Sequence, residues 1–416
     1  GGVAYIYNTN NDQYLAEATA TYHKTLADIH NVNFMVGASY EEFNNDISEL
    51  GNNNFLTDAF LYNNIDAGTG TKITKSNATK NKMESYFMRA SYVLMDRYLF
   101  TGTMRADGAS VFAKNNKWGY FPSVALGWLI NEESFLKQTK WLSNLKLRLS
   151  WGQTGNADIG TNAFASFAAE NAYVNGEHKT VIGVKKGKFA NPDLKWETTT
   201  EWNLGLDFGF LRGRISGSID LYQRTISDLL NYRLLNVYQE IPKVMSNVGK
   251  TQGRGIEVML NTRNIETKNF SWTTNFTFTK YKDRWKERTP DWKPAVYEKA
   301  DDPIRPIYAR RADHILQIGE AAPAAQPDLR PGELVIKDLN GYKRDSNGQP
   351  MVDENGRFIL TGAPDGKIDD ADTELIGSQD PGWMAGMVNT LTYKDFDFSF
   401  QLNGMFDRRM EDPTEM

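Results

Sequence analysis

Cysteine is absent from this chain of 416 residues, which excludes a disulfide framework, a thiolate metal site and a cysteine nucleophile. Histidine is nearly absent too. His23, His30, His178 and His314 are scattered, no Gly-x-Ser-x-Gly elbow or Gly-x-x-x-x-Gly-Lys-Ser/Thr run occurs, and no serine has a base at local spacing, so the chain does not read as an enzyme. The adjacent carboxylates Glu132-Glu133 and Asp301-Asp302 read as solvated surface, not as an acid and base pair. No apolar run approaches the roughly 18 residues of a membrane helix. Basic blocks are also missing, and a net charge of −5 argues against nucleic acid as a partner. The opening Gly1-Gly2-Val3-Ala4-Tyr5 lacks an initiator Met, a charged leader and an apolar signal core, so the chain is read as a piece of a longer protein.

What the sequence does have is alternation. Trp118, Tyr120, Pro122, Val124, Leu126, Trp128 and Ile130 occupy every second position, and Leu145, Leu147, Leu149 and Trp151 alternate with Lys146, Arg148, Ser150 and Gly152. Tyr98, Phe100, Met104 and Ala106 oppose Arg97, Thr101, Thr103, Arg105 and Asp107 in the same way. A period of two is strand spacing, with one dry and one wet face per strand.

This criterion predicts about twelve strands, centred on 14–23, 30–41, 83–94, 97–107, 118–130, 145–155, 197–209, 213–223, 248–261, 270–282, 384–394 and 396–406, with a possible extra strand at 3–8. Most exceed the five or six residues usual in soluble proteins and match the 9–11 needed for a tilted strand to cross a bilayer. Connections alternate. Tight turns at Met95-Asp96, Phe210-Leu211-Arg212 and Asp395 are separated by long polar excursions at 42–82, 156–196, 224–247 and 283–383, with 131–144 as a medium exception. Trp118, Tyr120, Trp151, Trp202, Trp272 and Tyr393 lie toward strand ends, as an interfacial girdle requires. Arg89, Arg105, Arg148, Asp207, Arg214, Asp220 and Glu257 populate the opposite face, which would line a wet lumen or pack on a polar plug. The fold class is therefore all-β, an antiparallel transmembrane barrel with short periplasmic turns and long extracellular loops.

One acidic stretch carries a candidate site. Residues 365–372 read as the second part of a calcium-loop pattern whose first part is Asp338-Leu339-Asn340-Gly341, the two being separated by 342–364. The candidate ligands are Asp338, Asn340, Asp365, the Lys367 carbonyl, Asp369 and Asp372, with Ca2+ as a structural ion; the alternative is an acidic turn with no ion. The insertion reads as a hairpin, Phe358-Ile359-Leu360 opposite Gln349-Pro350-Met351-Val352 across Asp353-Glu354-Asn355-Gly356.

The ordered runs Arg97-Tyr98-Leu99-Phe100, Met104 to Ser110, Trp118 to Ser123, Leu147 to Asn156 and Asn191 to Thr198 resemble the barrel of SusC/RagA-type TonB-dependent outer-membrane transporters. Asn247-Val248-Gly249, Gly255-Ile256-Glu257 and 365–377 follow in the same order, so the resemblance spans nearly all of 1–416. Two departures stand out: the 342–364 insertion, and His314-Ile315-Leu316-Gln317 where the family usually has a Gly-Ile-Trp-Gln-like run. The resemblance implies part of a barrel of twenty-two strands in a Gram-negative outer membrane. It also implies a plug and a TonB-contacting segment N-terminal to the barrel, an oligosaccharide or peptide substrate, and a SusD-like lipoprotein lid docking on the long loops. The rival reading is a secreted or surface β-sheet protein that binds carbohydrate without transport.

Overall fold

The computed structural model describes residues 2–158, 166–174 and 180–188 in backbone, 190–235, 243–353 and 357–410. His178 and the turn residues 354–356 lie outside the described residues. In chain order the strands are β1 (Gly2–Leu26), β2 (His30–Phe55), β3 (Ile73–Leu94), β4 (Tyr98–Ala109), β5 (Trp118–Leu129), β6 (Leu142–Asn156), β7 (Ser166–Val174), β8 (Thr180–Lys188), β9 (Glu197–Phe210) and β10 (Ile215–Ser227). They continue with β11 (Leu230–Leu234), β12 (Lys243–Asn247), β13 (Lys250–Glu266), β14 (Phe270–Glu287), β15 (Pro306–Arg310), β16 (Ala312–Ile315), β17 (Leu334–Ile336), β18 (Thr373–Ser378), β19 (Trp383–Tyr393) and β20 (Phe396–Phe406).

Twelve of these form one antiparallel sheet in the order β1-β2-β3-β4-β5-β6-β9-β10-β13-β14-β19-β20. Each of the twelve predicted strands is present. The remaining eight pair as four ribbons, β7–β8, β11–β12, β15–β18 and β16–β17, all within the long connections. By backbone proximity the chain divides into two compact units, one of residues 1–126, 152–198 and 230–247, the other of 127–151, 199–229 and 248–416.

In the first unit the predicted boundaries need correction. Segment 3–8 is not a separate strand but the continuation of β1, which runs for 25 residues. The expected 42–82 excursion is mostly strand, because β2 extends to Phe55 and β3 begins at Ile73 in unbroken register, Leu50 opposite Thr74 and Glu42 opposite Lys82. The loop itself is 56–72. Side chains in the extensions 42–55 and 73–82 are mostly polar on both faces, so backbone pairing sets the strand without leaving an alternating pattern.

The register also orders the faces. Even positions of β1, β2 and β3 share one face, with Tyr22 opposite Phe34 and Ala38 opposite Tyr86. On that face aliphatic side chains lie between Tyr22 and Tyr92 on one side and Tyr14, Tyr40 and Tyr86 on the other, and Tyr86 stacks with Trp118 at 6.0 Å. Large apolar side chains on this face remain exposed, Leu126 at 48%, which water would not tolerate as a contiguous band but hydrocarbon would. Two aromatic rows flanking an aliphatic band are what a bilayer's two interfaces select.

In the first unit two short turns lie side by side. Ala27 and Asp28, Met95 and Asp96 hold left-handed backbone, the mirror-image turn geometry that matches strand twist, although neither turn contains glycine. Met95 N–H donates to the Ile29 carbonyl at 2.7 Å, joining neighbouring turns. In the second unit Leu211 N–H reaches the Trp141 carbonyl at 2.7 Å and Lys394 N–H the Asn269 carbonyl at 2.9 Å. The medium 131–144 connection therefore sits beside a short turn of its own unit.

Candidate functional site

The polar face carries the charges. In the second unit Arg148 on β6 donates from Nε and a terminal nitrogen to Asp207 on β9 at 2.9 and 2.8 Å, and the same terminal nitrogen reaches Asp220 on β10 at 3.0 Å. Gly205 leaves the room this guanidinium occupies, since a Cβ there would lie 2.5 Å from the Arg148 Cζ. Asp220 is opposite Glu257 of β13. In the first unit Arg105 donates to Asp107 at 2.9 Å and to Ser85 at 2.9 Å while lying over the Phe87 ring. Pairing of this kind keeps ions on an interior wall without leaving a charge unmatched. The apolar face follows the same rule. Asn389, which is buried there, accepts from the Trp272 indole at 2.9 Å and the Thr274 hydroxyl at 2.6 Å, so Trp272 is more than the interfacial ring expected of it.

Sequence reasoning missed a second feature. Where β4 and β5 meet the loop ahead of β9, Ala109, Val111, Phe112, Phe121, Leu194 and Trp196 form a buried cluster. The Trp196 ring lies 5.3 Å from Phe112 and 5.4 Å from Phe121, and its Nε1 donates to the Lys117 carbonyl at 3.0 Å. Asn191 donates to the Met245 carbonyl at 2.7 Å, and Asn247 exchanges bonds with the Lys195 backbone at 2.9 and 2.7 Å. Three chain segments are thus tied at the long-loop end of the first unit. Alternation could not reveal Phe112 and Leu194 because neither belongs to a strand.

The connection between β14 and β19 has its own order. Arg288 lies between the Trp285 and Trp292 rings, 4.7 Å from each, and Arg357 of the inserted hairpin lies 5.8 Å from the Trp292 centroid. Asp302 is buried, capping the Lys299 N–H and accepting from the Tyr308 hydroxyl, which burial and this bond push well above its ordinary range. Glu133 is likewise buried and accepts from the Trp128 indole at 3.0 Å. The reading of Glu132-Glu133 and Asp301-Asp302 as solvated pairs is corrected: one member of each is an enclosed hydrogen-bond acceptor. His314 sits between Glu320 and Asp313, bonds that raise its pKa, and His30 bonds the Tyr92 hydroxyl at 2.7 Å.

The two halves of the interrupted acidic loop meet. Val352 pairs with Phe358 and Tyr342 with Leu360, so the insertion is a hairpin leaving and returning at adjacent points. Gly341 approaches Asp365 so closely that a Cβ would lie 2.4 Å from its Cβ. The Asp338 oxygens accept from Asp365 and Gly366 N–H at 3.1 and 2.7 Å. Fully enclosed, Asp372 accepts from Leu339, Asn340 and Asp369 N–H at 2.7, 3.1 and 2.9 Å. Asp369 caps Ala371 at 2.8 Å, and Asp365 accepts from Lys367 at 3.1 Å. Among the described residues no three acidic or histidine side chains stand together as a metal-holding group, because these carboxylates turn toward backbone amides. Burial, and then Asp369, Asp370, Asp372 and Asp365, push the Tyr342 hydroxyl above its usual range.

The family described as TonB dependent receptor-like, beta-barrel, matches residues 2–308. The chain belongs to the TonB-dependent receptor family. It is 39% identical to TonB-dependent receptor SusC of Bacteroides thetaiotaomicron over 78% of this chain and 31% of that one. With TonB-dependent receptor P3 of Formosa agariphila it shares 32% identity, over 96% of this chain and 39% of the relative. In fold it matches the RagAB peptide transporter with a TM-score of 0.77 at 20% identity, covering 97% of this chain and 42% of that one. The family is one of outer-membrane transporters, not enzymes. The chain spans between 31% and 40% of the length of the curated relatives it matches.

Proposed function

We infer that the intact protein is an active importer of oligomers, glycan or peptide, energised through TonB and closed at its outer mouth by a SusD-like surface lipoprotein. The observation that carries this reading is the division of the strands into an exposed apolar face and a paired-ion face, with tight turns alternating with elaborated loops along the chain. The RagAB protein that the chain resembles in fold is a peptide transporter, which supports an oligomeric substrate, and the SusC/RagA-type resemblance implies the glycan alternative and the lid. The connection between β14 and β19 is the proposed principal docking surface. Replacing residues 289–381 of the full-length receptor by a short turn is expected to abolish co-purification of the lipoprotein while heat-modifiable mobility in detergent persists. Unchanged co-purification would exclude this loop from the interface.

A structural Ca2+ at the 338–372 junction is a separate proposal. Its support is that the two halves of the loop meet, the Asp338, Asp365 and Asp369 oxygens each accepting a single amide and so keeping a lone pair for an ion that Asn340, the Lys367 carbonyl and the Asp372 Oδ2 would complete. Calcium is expected to slow proteolysis within 342–360 in the parent receptor and not in Asp369→Asn. Equal cleavage in calcium and in chelator would leave the amide network as the sole staple.

A further inference from the structure

On the outward face of the second unit the apolar band has two aromatic edges. At the turn end Phe270, Tyr393 and Phe396 lie opposite one another across β14, β19 and β20. At the loop end Phe278 lies 6.0 Å from Trp383, which stacks on Phe406 at 3.8 Å. From Phe270 to Phe278 β14 rises roughly 26 Å at 3.3 Å per residue, close to the height of the apolar band of an outer-membrane barrel.

Beyond this upper row the same face turns basic. β14 carries Lys280, Lys282, Arg284 and Lys286 at every second position, and β13 places Ile256 opposite Lys280, Arg254 opposite Lys282 and Gln252 opposite Arg284. Asp283 and Glu287 interrupt the run in sequence, but the pleat turns them to the other face, and both are engaged: Asp283 lies 3.9 Å from Arg224, and Glu287 2.5 Å from Lys250. Asp380 is taken by Arg305. Among the described residues, the exposed Arg254, Lys280, Lys282 and Lys286 have no carboxylate at ion-pair distance, while Arg284 is half-buried and donates to the Asp301 carbonyl at 3.3 Å.

Like charges directly opposite on paired strands repel and weaken the ladder. Arg254 and Lys282 are such a pair, with Lys280 and Arg284 one pleat away on the same face. An anion shared among them would turn that repulsion into charge-assisted hydrogen bonds. These side chains line a shallow groove of about 470 Å³, with Ile256 at its membrane end. Lys280 and Lys282 stand roughly 7 and 13 Å past Phe278 along the strand, at the depth of lipid headgroups.

The geometry points to this groove as a binding site for a phosphate-bearing glycolipid of the outer leaflet. Its phosphate is held by Arg254, Lys280 and Lys282, and its acyl chains lie on Ile256, Val258 and Phe278 below. A free anion could use the cations but not the apolar floor. An acidic protein is disfavoured because the strip begins at the hydrocarbon edge, where headgroups already stand.

The test titrates full-length receptor in detergent with lipid A, with dephosphorylated lipid A and with inorganic phosphate, binding being read by native mass spectrometry. Lipid A is expected to bind, and the triple variant Arg254→Gln, Lys280→Gln, Lys282→Gln to hold it about tenfold more weakly. The double variant Lys280→Arg, Lys282→Arg should bind as the parent does, which separates loss of charge from loss of fold. Dephosphorylated lipid should bind the parent no better than lipid A binds the triple variant, and excess inorganic phosphate should not displace lipid A. Equal affinity of parent and triple variant for lipid A overturns the site. Undiminished binding of the dephosphorylated lipid, or displacement by phosphate alone, overturns the glycolipid assignment in favour of acyl contacts or a free anion. If the triple variant keeps lipid A but loses the co-purifying lipoprotein, the strip belongs to a protein partner and the proposal fails.

Discussion

Arginine at position 126 is expected to destabilise the inserted sheet by about 2–4 kcal/mol, whereas arginine at position 125 is limited by packing on the polar face. Leu126 is an exposed, mid-strand member of the alternating set on β5, on the face opposite Phe121, which is buried. A guanidinium at that depth must be dehydrated or drag water and headgroups inward, and no partner on the lipid side returns the solvation. Urea titration of the full-length receptor in bilayers reads the difference. Equal midpoints for Leu126→Arg and Ala125→Arg would overturn the assignment of faces, as would equal access of spin labels at 125 and 126 to a lipid-soluble quencher.

Trp196→Ala is expected to cost about 3–5 kcal/mol, the usual range for removing a large buried aromatic side chain. The ring fills the space between Phe112 and Phe121, and its indole N–H is bonded to the Lys117 carbonyl. Removing it leaves a cavity, leaves the Lys117 carbonyl with the Ala109 N–H as its remaining donor, and frees the segments that Asn191 and Asn247 tie to β12. Trp196→Phe should keep most of the packing and lose about 1 kcal/mol with the hydrogen bond. Proteolysis between 111 and 117 should accelerate in the alanine variant and much less in the phenylalanine one. Identical cleavage in all three proteins would show that the cluster does not hold these loops.

The sequence by itself determined the twelve membrane-scale strands, their order of faces and the alternation of short turns with long connections. Lipid on one side and a polar interior on the other force a period of two, so Trp118 to Trp128 or Leu145 to Trp151 can be read without coordinates. The family followed from ordered motifs in those strands and in the connections beside them. The hairpin inserted at 342–364 was legible because its strands and turn obey local rules.

Only the tertiary structure decided the rest. The extension of β2 and β3 through 42–55 and 73–82 is held by main-chain pairing in an environment polar on both sides, and main-chain pairing has no residue signature. Phe112, Leu194 and Trp196 meet from segments far apart in the chain, a packing no local period encodes. The same holds for the enclosed carboxylates. Asp372, Asp302 and Glu133 look like surface acids in the sequence; burial beside amides, a hydroxyl or an indole, which depends on where the backbone folds, is what makes them acceptors.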